Sequence, residues 1–169
     1  MDNYIFRKQF LLFALGLIIL FSSSASSQII RLGFTDSEKI LGESGHIIDS
    51  ALTIKDDVTE YKVSYRADSL DKETGKTGGL YYLFQEYKDT LNAKEVYSFF
   101  KKANKDHEGI KILHDAGDEA YFHSDEENFY YISIRKGSKL IIMKVNKITS
   151  RTSLNEFNTI ARNFASGIK

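Results

Sequence analysis

Apolar and polar positions change period several times along the chain, and each change marks an element. Between Glu60 and Arg66, Tyr61, Val63 and Tyr65 alternate with Glu60, Lys62, Ser64 and Arg66, the two-residue period of a strand with one buried face. From Leu80 to Lys88 both parities are apolar: Leu80, Tyr82 and Phe84 share one face, Tyr81, Leu83 and Tyr87 the other. A central strand covered on both sides has that pattern. Two stretches follow the helical period instead. Val96, Phe99, Phe100 and Ala103, with Tyr97 beside them, recur at i, i+3, i+4, i+7, as do Leu154, Phe157, Ile160, Ala161, Phe164, Ala165 and Ile168. A side-chain oxygen with a Glu three residues on precedes each, at Asn92/Glu95 and Ser153/Glu156. The same device at Thr35/Glu38 opens a third helix, kept short by Gly42 and Gly45.

The sharpest register argument lies in the C-terminal half. With Gly137-Ser138 as a two-residue hairpin loop, Lys136 pairs with Lys139, and Ile134, Ile132 and Tyr130 fall opposite Ile141, Met143 and Val145. That face is wholly apolar, while Tyr131/Lys144, Ser133/Ile142 and Arg135/Leu140 make the other face mixed. Lys111 to His114 and Glu119 to His123 read as a shorter hairpin about the Asp115 to Asp118 turn. Asp68 to Gly79 is polar, contains Gly75, Gly78 and Gly79, and reads as an exposed loop. Hairpins dominate and no βαβ rhythm occurs, so the expected fold class is α+β. It is a central, mostly antiparallel sheet of about six or seven strands, packed by two long helices and one short N-terminal helix.

This layout resembles the PsbP-like fold. The parts that look most like such domains are the Gly117-Asp118-Glu119-Ala120-Tyr121-Phe122 turn with the strand after it, and the Arg135-Lys136-Gly137-Ser138-Lys139 hairpin. The resemblance covers nearly all of the chain after the N-terminal segment. It implies helices on both faces of the sheet and a partner-binding or auxiliary module more often than an enzyme. The family has no shared catalytic motif to carry over.

The N-terminus changes the picture. Arg7-Lys8 is followed by an apolar run of 12 residues, Phe10 to Phe21, and then by the small polar tract Ser22 to Ser27. A relaxed bilayer span needs about 20 residues, so this is the layout of a cleaved secretory signal, residues 1–27, with Ala25 and Ser27 before the expected cut at Gln28. Residues 28–169 then form a single α+β domain, periplasmic or secreted, with no stable membrane span after cleavage. The chain has no Cys, so neither a lipoprotein anchor nor a disulfide is available and packing alone holds the fold. Lys+Arg and Asp+Glu are 23 each, and this balance gives no global pull toward nucleic acid.

No local motif announces a reaction. His114 and His123 flank Asp115, Asp118 and Glu119, but the expected register sets His123 opposite Ile110, too far from His114 to share a metal; His46 and His107 stand alone. Asp125-Glu126-Glu127 lacks the alternating ligands and central Gly of a calcium loop. Gly75-Lys76-Thr77 looks like the end of a phosphate loop, yet Leu70 stands where that motif needs its first Gly. No metal ligand, cofactor or catalytic residue is therefore nominated. The informative surplus is aromatic, 10 Tyr and 12 Phe without Trp. If the inner faces already serve both long helices, then Phe129, Tyr131, Leu140 and Ile142 on the outer side of the hairpin need a cover that the short helix, with Ile40 and Leu41, is too small to give. The nominated ligand-binding residues are Tyr131 with either Tyr81 and Tyr87 or Tyr82. The expected function is an exported, non-catalytic binding or accessory module for an envelope protein, a peptide or a small hydrophobic ligand. The alternative is an envelope hydrolase with a spatially assembled carboxylate or Ser/His site.

Overall fold

The computed structural model describes residues 29–104 and 108–168. The expected signal segment and His107 lie outside them. Ten elements follow in order: α1 (Phe34–Leu41), β1 (Gly45–Ile54), β2 (Val58–Ala67), β3 (Gly79–Tyr87), α2 (Thr90–Asn104), β4 (Ile110–Leu113), β5 (Glu119–Ser124), β6 (Phe129–Lys136), β7 (Lys139–Asn146) and α3 (Leu154–Gly167). The strands form one seven-stranded sheet in the order β1-β2-β3-β7-β6-β5-β4, antiparallel at every pairing. The fold is α+β.

The β6–β7 hairpin takes the register its apolar pattern dictates, with Ile132 opposite Met143 and Ile134 opposite Ile141. Gly137, at φ 57, supplies the left-handed turn residue. β3 lies between β2 and β7 and is covered on both faces, as its two apolar parities require. On the inner face, α1 and α3 press Ile40, Leu41, Phe157, Ile160 and Ala161 onto Tyr61, Val63, Tyr82, Phe84, Ile132, Met143 and their neighbours. Incoming chain closes this core: Tyr65 Oη donates to the Leu32 carbonyl and Tyr82 Oη to that of Ile30, both at 2.8 Å.

One strand escapes the sequence pattern and three local expectations are corrected. β1 carries no clean alternation in the sequence because its register with β2 shifts between Ile47 and Asp49. Ile47 therefore sits on one parity, and Ser50, Leu52 and Ile54 reach the same face on the other. The helix starts also move: Gly33 caps α1 with no side-chain bond, and α2 begins at Thr90, where the Asp89 carboxylate accepts the Asn92 N–H at 2.9 Å. Only the Ser153 cap forms as expected, accepting the Glu156 N–H. On α2 the face turns so that Ala93 and Tyr97 are buried, while Phe99 is 69% exposed. Finally, the segment after β2 is not a free loop. Asp71 is buried there and accepts from Glu73 N, Thr74 Oγ1, Ser150 N and Ser150 Oγ, tying it to the approach to α3.

Candidate functional site

The two longest helices do not share a face. α3 lies on the inner face, as expected, but α2 covers the outer one, which overturns the premise that only the short helix was left to shield it. Tyr97 anchors α2 in a second core with Leu83, Tyr121, Leu140 and Ile142. Its ring meets Tyr121 edge-on at 5.9 Å, and Tyr121 lies against Tyr131 at 5.6 Å. The strand that carries Tyr81 and Tyr82 sends them to opposite sides. Tyr82 is wholly buried in the inner core, its ring edge-on to Phe164, and burial pushes its hydroxyl far above the ordinary range. It has no place on an outer surface. Tyr81, Tyr87 and Tyr131 do share the outer face, each half-buried at the margin of the α2 core. Burial pushes Tyr87 up to about 12, and burial followed by the Tyr121 hydroxyl, 3.3 Å away, raises Tyr131.

Beyond the reach of α2 the outer face opens into a groove of about 390 Å³. The pairing register lays out its floor as two rows. Ser64, Tyr81 and Lys144 form one across β2, β3 and β7; Arg66, Gly79 and Asn146 form the next. Ile48, displaced at the β1 irregularity, makes one wall, and Lys147 stands at the opposite rim. Gly79 has strand neighbours on both sides, where glycine forgoes side-chain packing and costs conformational entropy. Packing does not demand it: a Cβ at this position would meet Tyr65 O at 3.7 Å and Asn146 O at 3.8 Å, ordinary contacts. Lys147 holds a left-handed backbone at φ 62, uncommon for a residue with a side chain. Gly79 is the first residue of β3, and the space above its backbone is left open.

No Asp, Glu or His lines this groove. Among the described residues no three His, Asp or Glu side chains converge at metal-binding distance. His114 and His123 stand apart, the latter opposite Ile110 with its ring edge-on to Phe129 at 4.9 Å. His46 pairs with Asp68 at 2.7 Å. Asp125 closes a turn by accepting the N–H groups of Glu127, Asn128 and Phe129. Lys76 of the Gly75-Lys76-Thr77 stretch donates across to the Glu127 carbonyl and Asn128 Oδ1.

Of the nominated tyrosines, Tyr81 alone lines the groove. Arg66, Gly79, Lys144 and Lys147 escaped the sequence reading. Gly79 ends a polar, glycine-rich stretch that reads as a loop, although the clean alternation through Arg66 signals an outer row. Among the described residues no helix is long and apolar enough to cross a membrane. Comparison of the chain with protein-family models, curated proteins and solved structures found no match.

Proposed function

We propose that this protein is an exported, non-catalytic binding or accessory module that holds its ligand in the outer-face groove over Gly79 and beside Tyr81. The observation that carries the reading is Gly79 itself, a strand residue whose missing side chain leaves room that the protein does not fill. The size agrees, since small-ligand pockets run from about 300 to 1,000 Å³. The hydrolase alternative needs converging acids or histidines, and the groove lining holds none. Export rests on the 1–27 segment, and the periplasm or the exterior is the compartment where the ligand would be met. The kinship with PsbP-like domains belongs to the same proposal, supported by two long helices on opposite faces and a short one near the N-terminus.

The test is a groove-filling substitution. Gly79→Leu adds a side chain to the floor, and replacing a strand glycine stabilises by about 0.5–1 kcal/mol where the backbone is compatible. Native mass spectrometry of protein purified from its own envelope fraction should show a retained ligand in the wild type. The variant should lose it with an unchanged or raised melting temperature. Equal ligand retention by Gly79→Leu would place binding elsewhere.

A further inference from the structure

The charges around the groove say what kind of ligand it takes, an inference that rests on the groove being the binding site. Arg66, Lys144 and Lys147 line it, and its lining contains no acid. Among the described residues Arg66 and Lys147 have no ion-pair partner. Lys144 has only a ring beneath its ammonium, Phe129 at 5.6 Å. Two acids act on the Tyr81 side of the face, and both are engaged: Glu60 accepts from Gln85 Nε2 at 2.6 Å and Asp49 pairs with Lys62 at 3.2 Å. Three cations around one concavity repel one another, and a neutral ligand would leave that repulsion in place. Across the sheet Arg66 and Asn146 flank Gly79, about 10 Å apart at their backbones, and Lys144 lies one row along beside Tyr81. The remaining surface is apolar or aromatic, Ile48 on one wall and Tyr81 on the floor. Tyr81 burial raises its hydroxyl, which keeps it a neutral hydrogen-bond donor.

We infer that the groove binds a small organic oxyanion, a carboxylate or phosphate ester, with an apolar or ring-shaped body. The anionic group lies over Gly79, where no side chain blocks approach to the backbone, between Arg66 on β2 and Lys147 just past the end of β7, with Lys144 adding positive charge from the next row. Its body rests on Tyr81 and Ile48. Asn146 and Ser64 supply neutral hydrogen bonds beside the charge, and the guanidinium can grip either oxyanion with two parallel bonds.

Calorimetric titration of the purified protein with phenyl phosphate, phenylacetate and benzyl alcohol tests this, the three sharing a ring and differing in charge. At least one anion should bind about tenfold or more tightly than the alcohol, and which one does so separates phosphate from carboxylate as the recognised group. The preference should shrink toward unity in an Arg66→Gln/Lys147→Gln variant, weaken with added salt, and vanish in Gly79→Leu. Equal binding of all three probes overturns the anion inference and leaves the groove reading intact. Anion binding that survives Gly79→Leu overturns both. Sedimentation with phosphatidylglycerol vesicles but no binding of the soluble probes overturns it in favour of a lipid surface.

Discussion

Two buried positions of opposite character test the packing at the scale of single residues. Ile132 is fully buried in the inner core, opposite Met143. Ile132→Ala should lower the unfolding free energy by about 2–5 kcal/mol in denaturant titration. A loss below about 0.5 kcal/mol, the range of surface positions, would mean that the hairpin register is wrong. Ser133, its neighbour on the outer face, is buried with a hydroxyl that has no hydrogen-bond partner among the described residues. Ser133→Ala should therefore be neutral or stabilising by up to about 1 kcal/mol, the reverse of the usual effect of trimming a core. A loss above about 1 kcal/mol would reveal a bond to that hydroxyl. The alternation of β2 and the two-sided pattern of β3 told which tyrosines share a face. They could not tell which face would be covered, because that depends on where the helices land.

α2 makes the same point at the scale of an element. Its period shows that it packs on something, but the choice of face is set by its connections, which run from the end of β3 to the short β4 hairpin at the far edge. Nothing in its own residues encodes that path. The helix begins at Thr90, under the Asp89 cap, so the Asn92/Glu95 box falls inside it. Ala93 and Tyr97 are its fully buried residues, so the element depends heavily on one ring. Tyr97→Ala should cost about 3–5 kcal/mol and should raise amide exchange most strongly over 90–104. Uniform exchange across the sheet and α2 alike would show that α2 is not a separately loosened unit. The hairpin β6–β7 was legible for the opposite reason. A two-residue turn fixes its register locally, and the apolar pairs agree with the turn. β1 was hidden by its own irregularity, which is also what turns Ile48 into the groove wall.

Two carboxylates that accept backbone N–H groups, Asp125 within its turn and Asp71 across to Ser150, give the molecule a pH response. The Asn128 side chain, then backbone N–H groups of the same turn, hold Asp125 down at about 2. The Ser150 N–H, then Thr74 and Glu73, hold Asp71 below the usual carboxylate range. A depressed folded value means that stabilisation is complete above the unfolded value of about 3.9 and is lost as pH falls through the folded one. The urea midpoint should therefore hold steady above about pH 5 and drop between about pH 4 and pH 2. An Asp71→Asn/Asp125→Asn variant should start lower and fall less steeply over that window. An identical slope would assign the acid sensitivity to other groups.

At this scale the two faces differ in a way that bears on function. The inner face is closed by α1, α3 and the Ile29 to Leu32 segment, whereas α2 closes the outer face over β3, β6 and β7 and stops short of the β1–β2 side. Among the described residues most aromatics are buried in the two cores or packed against them, and the open remainder of the outer face is cationic around a glycine rather than a bare tyrosine sheet. Amide chemical-shift mapping of the protein during titration with phenyl phosphate tests this account most directly. It predicts the largest shifts at Ser64, Arg66, Gly79, Tyr81 and 144–147, with the α2 core around Tyr97 and Tyr121 unmoved. Shifts centred on α2, or spread evenly over the surface, would contradict it.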